Sequence, residues 1–181
     1  MQNADIILSI NISNNPKNIA MQKVYAAKRP YCDEFLRGLA PFYEMVMFTA
    51  SLARYAGPLF KRLDPTETLI DHCLYREHCT LVSGEFYVKD LNKLGRRLED
   101  CIIIDNSPTS YMFQTENALP CTSWYKDKKD TELFQFISVL QKLAQYRGDV
   151  REVLKKIAPK TIAKKFDSLK AHSVLDKALA K

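Results

Sequence analysis

Three polar residues stand where apolar runs stop: Thr49 after YEMVMF (Tyr43 to Phe48), Lys89 after FYV (Phe86 to Val88) and Asp105 after CIII (Cys101 to Ile104). A threonine hydroxyl beside a helix N-terminus, whose first N–H groups lack intrahelical partners, suits a phosphate. A lysine can set a positive charge against that phosphate. A carboxylate leaving a buried strand offers hard oxygen to Mg2+, and Asn106 can complete the shell. Each residue also has an ordinary reading. Thr49 and Ser51 serve as helix caps elsewhere, Asp105-Asn106-Ser107-Pro108 is a common turn sequence, and Lys89 alone would pass for a surface lysine. Taken singly, the ordinary readings suffice; taken together, in this order, the three point to a site.

The elements that must position them follow from periodicity. Tyr43 to Phe48 is a short apolar run, then a polar turn, then Leu52 to Leu63 with apolar residues at helical spacing. Cys101 to Ile104 repeats the device. Strand, polar turn and helix is the unit that brings functional groups to the carboxyl end of a parallel sheet. The expected class is therefore α/β. Asp5 to Ile12 alternates as a strand, with Lys23 to Ala27 as a hairpin partner. Pro30 opens a helix that ends near Leu39 to Pro41, with Asp33 and Glu34 suited to the positive end of its dipole. His72 to Val88 reads as short β pieces broken at Ser83-Gly84, a small antiparallel insert above the sheet. Asn117 to Thr122 is expected as a last strand, followed by helices over Thr131 to Gln145, Asp149 to Ile157 and Thr161 to Ala180.

With 181 residues and 46% hydrophobic content, the chain suffices for one domain with a full core. The expected division is a domain over 1–158, with the insert at 72–88, and a basic helical tail over 159–181. Lys/Arg and Asp/Glu balance through Val150, 18 against 18, whereas Arg151 to Lys181 carries 9 against 3. Such a tail can meet an acidic partner or nucleic acid, but a solvated helix face is the commoner reason for it. The five cysteines have no Cys-x-x-Cys pair, which argues against a disulfide framework or a zinc site. Reduced cysteines, no run near the ~18 apolar residues of a membrane helix and no signal-peptide pattern lead us to expect an intracellular protein, nuclear or cytoplasmic.

Several stretches carry a closer likeness: KRPYCDEFL (Lys28 to Leu36), FTASLARYA (Phe48 to Ala56), LYREHC (Leu74 to Cys79), YVKDLNKLGRRL (Tyr87 to Leu98) and IIIDNSPTSY (Ile102 to Tyr111). In this order, and through NALPCTSWYKDKKDTEL to about Ile157, the chain resembles the small C-terminal-domain phosphatases, the nuclear LIM interactor-interacting-factor-like family of the haloacid dehalogenase superfamily. The resemblance implies a parallel sheet with helices on both faces and a small antiparallel β insert. It implies a Mg2+-dependent protein serine/threonine phosphatase, a hydrolase whose substrate is a phosphoprotein or phosphopeptide, with the RNA polymerase II C-terminal repeat as one candidate. Phosphate contacts would come from Thr49, Ala50 and Lys89, and metal ligands from Asp105 and Asn106. Arg76 would help to recognise the phosphopeptide, while Ile10, Ile12, Val24, Leu52 and Tyr55 would line a substrate pocket.

The family's defining element is a strand followed by Asp-x-Asp-x-Thr, whose first aspartate is the nucleophile and whose second is the general acid/base. It would fall just before Asn3, yet no Asp-x-Asp occurs anywhere in the sequence. We therefore expect a fragment of a longer phosphatase whose central first strand is missing, with no catalytic aspartate, no detectable turnover and weakened or lost Mg2+ binding. The other expectation to weigh is a non-catalytic phosphopeptide-binding or scaffold relative, like the mitochondrial import-receptor branch.

Overall fold

The alternation of Ile6, Leu8 and Ile10 folds as expected. In the computed structural model, which describes residues 4–11, 13, 17–158 and 168–180, β1 (Ile6–Asn11) pairs antiparallel with β2 (Met21–Ala26). Ile6 and Ile10 are buried and Ile7, on the opposite face, is exposed, as a period of two requires. Ile12 and the start of the connecting loop lie outside the described residues.

Helix α1 (Cys32–Leu39) begins two residues after Pro30, because Tyr31 caps it in the left-handed region at φ 63°. Asp33 and Glu34 occupy its first turn. Strand β3 is shorter than its apolar run, spanning only Val46–Phe48. Tyr43 leaves the strand to donate its hydroxyl to the Leu140 carbonyl at 2.6 Å. Helix α2 (Ala53–Leu63) then crosses over to β4 (His72–Leu74), which lies parallel to β3.

That pairing corrects one expectation. His72 to Leu74 belongs to the parallel sheet, and only β5 (Thr80–Val82) and β6 (Phe86–Val88) form the antiparallel insert. Three-residue strands carry too little pattern to reveal their partner. The insert turns through Ser83 (φ 52°) and Gly84 (φ 72°), the positive φ values that a tight hairpin turn uses.

Strand β7 (Ile103–Asp105) pairs parallel with β8 (Ala118–Pro120). Its side chains alternate between two cores. Ile103 packs with Leu91, Tyr111 and Ala118 on one face. Ile102 and Ile104 pack on the other, against the cluster built by Leu119 and the helices α1, α3 (Glu132–Leu143) and α4 (Val150–Ile157). Asp149 caps α4 by accepting the Arg151 N–H at 3.0 Å. The basic segment contributes to this core as well: α5 (Ser168–Leu179) packs on α3 and α4, with Ala171 and Leu175 fully buried.

The parallel strands therefore form two separate pairs, β3 with β4 and β7 with β8. Between them lies a cleft of about 970 Å3, walled by Val46 and Phe48 on one side and by Ile102 and Ile104 on the other.

Candidate functional site

Asp105 is the last residue of β7, held there because Ile102 to Ile104 are locked into two cores. Lys89 follows β6, whose Val88 is fully buried, and its own N–H donates to the Ser110 carbonyl at 2.8 Å. These two anchors bring the side chains together: Lys89 Nζ donates to Asp105 Oδ2 at 2.5 Å, with both residues only 9% exposed. The other carboxylate oxygen accepts the Ser107 N–H at 2.7 Å. The ammonium also lies 5.8 Å from the Phe48 ring centroid, so it spans the carboxyl ends of β3 and β7. A buried pair of this kind is poor evidence for stability, because removing the charges from water costs about what their attraction returns.

Thr49 and Ala50 continue β3 at the same end. The Thr49 N–H donates to the Leu74 carbonyl at 2.9 Å, and its Oγ1 accepts the Ser51 N–H at 3.1 Å, tightening the turn into α2. Arg76 is held over this turn from the insert side. Its Nε donates to the Ala50 carbonyl at 2.7 Å, and its guanidinium lies 4.9 Å from the Tyr87 ring centroid. Cys79 links the groups: its thiol reaches the Thr49 carbonyl at 3.9 Å. Burial pushes that thiol's pKa up, opposed by the charges of Lys89 and Arg76. Two cations, one hydroxyl and one carboxylate thus meet at the carboxyl ends of the parallel strands, an arrangement suited to an anion.

Asn106 sits beside this group but points elsewhere, donating Nδ2 to Ser123 Oγ at 2.9 Å on the surface. Among the described residues, no cluster of three or more His, Cys, Asp or Glu could hold a metal ion. The donors that are present do not fit Mg2+ as they stand: a single carboxylate has an ammonium against one oxygen and an N–H against the other.

The apolar candidates form a separate group. Ile10 is 3% exposed where β1 packs on α2, the helix that carries Tyr55, so it is covered by the fold. Val24, Leu52 and Tyr55 are half-buried, and none of the four lines the large cleft. Residue-by-residue reading missed Phe48, Cys79 and Ser110, whose parts in the site are a ring face, a thiol and a carbonyl. Nothing in their residue types announces such contacts; only tertiary proximity does.

Two parallel strand pairs, the first joined by α2, with polar groups gathered at their carboxyl ends, define an α/β protein. The RNA polymerase II CTD phosphatase Fcp1 shares this fold at a TM-score of 0.55, with 17% identity over 96% of this chain and 52% of that one. The sequence itself goes further: residues 2–151 match the family model described as NLI interacting factor-like phosphatase, and the chain belongs to that family. Similar proteins include a "Probable C-terminal domain small phosphatase" of Dictyostelium discoideum, 46% identical over 85% of this chain and 48% of the relative. Another is the human "Carboxy-terminal domain RNA polymerase II polypeptide A small phosphatase 2", 45% identical over 80% of this chain and 51% of the relative. The chain spans about half the length of these relatives.

Proposed function

We propose that this chain is the phosphate-recognising part of a protein serine/threonine phosphatase domain and that it does not turn over phosphate by itself. The observation that carries the first half is the convergence of Lys89, Arg76 and Thr49 at one strand end. Lys89 and the Thr49–Ala50 turn would hold the phosphoryl oxygens, and Arg76 would meet the phosphopeptide. Phosphoserine or phosphothreonine in a protein, with the polymerase C-terminal repeat as a candidate, is the substrate class in keeping with the names of the relatives. Val24, Leu52 and Tyr55, half-buried, form the apolar substrate surface in this reading, and an intracellular setting, nuclear or cytoplasmic, belongs to it.

The second half rests on chemistry. Phosphoryl transfer to an aspartate needs that aspartate, and Asp105, the carboxylate at the strand ends, is tied to Lys89 and Ser107. Asp105 and Asn106 are the residues through which Mg2+ would act in the complete family domain, and one carboxylate with an ammonium on it holds the ion weakly.

The test assays the chain with Mg2+ and an aryl phosphate, alongside Asp105→Asn, and measures its affinity for a phosphoserine peptide. We expect no turnover above background. Peptide binding should weaken about 10- to 100-fold in Lys89→Ala, the magnitude of one charge-assisted hydrogen bond. Mg2+-dependent turnover that Asp105→Asn abolishes would refute the inactive half. Equal affinity for phosphorylated and unphosphorylated peptide would refute the phosphate half.

A further inference from the structure

The loop between β8 and α3 holds cations in the open beside the candidate site. Arg29 fixes both of its ends, donating to the Thr122 carbonyl and to the Asp130 carboxylate. Asn106, the residue after Asp105, donates to Ser123 Oγ at 2.9 Å, so the loop springs from the rim of the strand-end cluster. Within it, the Asp127 carbonyl accepts the Trp124 indole N–H at 2.6 Å, and the Asp127 carboxylate accepts the Lys129 N–H at 2.9 Å. Lys128 covers the Trp124 ring, its ammonium 5.8 Å from the centroid, and reaches Asp5 at 3.3 Å.

These contacts occupy the acids of the loop and one of its lysines. What they leave is Tyr125, 82% exposed, and the exposed Lys126 and Lys129, whose ammonium groups have no carboxylate partner among the described residues. A tyrosine gives a partner an apolar face and a hydroxyl together, and unpaired ammonium groups draw anions. A single nucleic-acid strand is gripped by a succession of aromatic faces, but Lys128 already covers Trp124, which leaves one ring. An acidic peptide needs only the two cations and that ring.

We propose that Tyr125, Lys126 and Lys129 form a second subsite, which takes Asp or Glu side chains of the same phosphoprotein segment whose phosphate lies at Lys89. The proposal rests on the phosphate reading and narrows its substrate class to phosphoserine or phosphothreonine with acidic residues nearby. Lys126 follows Ser123 by a stretch of chain no longer than about 11 Å. With the step from Asp105 through Asn106 to Ser123 added, the phosphate and the acidic group stand about three to six extended residues apart.

The test titrates the full chain with a phosphoserine peptide carrying Asp-Glu pairs about three to six positions to either side, with its Asn-Gln counterpart, and with unphosphorylated forms of both. Acidic flanks should tighten binding about three- to tenfold, the scale of two exposed charge pairs. That advantage should vanish in the double variant Lys126→Glu, Lys129→Glu, shrink in high salt and persist in Lys89→Ala. Phosphate preference should do the reverse, surviving charge reversal of the loop and falling in Lys89→Ala. Tyr125→Ala should weaken the acidic peptides about threefold; an unchanged affinity removes Tyr125 from the subsite. No advantage of acidic over neutral flanks, or one that survives charge reversal, overturns the proposal and leaves the phosphate reading intact. Absence of any phosphate preference in the unaltered chain sinks that reading and the joint subsite with it. Oligothymidine bound more tightly than the acidic peptides, and released by the same double variant, overturns the proposal in favour of a nucleic-acid surface.

Discussion

Arg29 gathers more partners than any residue of the candidate site. Its Nε and one terminal nitrogen donate to Asp130, the same nitrogen reaches Glu132 at 2.6 Å, and the other donates to the Thr122 carbonyl at 2.8 Å. Glu132 is 3% exposed, so its charge depends on this guanidinium and on Thr122 for compensation. The knot ties the loop after β8 to the start of α3, and β8 is what holds β7 and therefore Asp105. Arg29→Ala should destabilise the fold by about 3–5 kcal/mol, because it strands a buried carboxylate. Arg29→Lys should recover only part of this, lacking the planar fork. Urea unfolding monitored through Trp124 fluorescence measures both, and a loss below about 1 kcal/mol in the alanine variant would show that Glu132 finds other compensation. This residue sat inside the motif KRPYCDEFL, yet its partners are about a hundred positions away and no spacing rule could name them.

At the scale of elements, the long amphipathic stretches were the legible ones. The apolar spacing of Leu52 to Leu63 and Thr131 to Gln145 translated directly into α2 and α3, because a helix satisfies its own backbone and needs no distant partner. Short strands are legible as apolar runs but not in their pairing, so nothing local in His72 to Leu74 separates β4 from the insert that follows it. The last helix shows the same boundary between local and tertiary information. Its lysines suggest a solvated tail, but Ala171 and Leu175 are buried against α3 and α4, and Lys142 pairs with Asp176 across the contact. Leu175→Ala should therefore cost about 2–5 kcal/mol, as a cavity in a packed core does. A chemical-denaturation midpoint unchanged by that substitution would mean that α5 adds nothing to the core.

Across the whole molecule, charge sets the acid limit. The Lys28 N–H, and after it Lys128, hold the Asp5 carboxyl below its ordinary range; Arg96, and then His72, do so for Glu44, and Arg151 for Asp149. A carboxylate whose pKa is depressed in the folded state adds stability above its unfolded pKa, and that stability is lost as pH falls through the folded value. The melting temperature should therefore be level above about pH 5 and fall below about pH 4. The slope should be shallower in Asp149→Asn and in high salt, since these pairs are exposed and screened. A melting temperature independent of pH down to about 3 would contradict the depressed values.

The sequence alone determined the α/β class, the positions of the long helices and the polar residues that end the apolar runs. All of these are written locally, in periodicities of two and 3.6 and in the residue that follows an apolar run. Tertiary structure alone decided that Lys89 closes onto Asp105, that Arg76 lies over the Thr49–Ala50 turn and that β4 joins β3. Those outcomes depend on which distant backbone supplies each hydrogen-bond partner, and a strand, unlike a helix, leaves that choice to the rest of the chain.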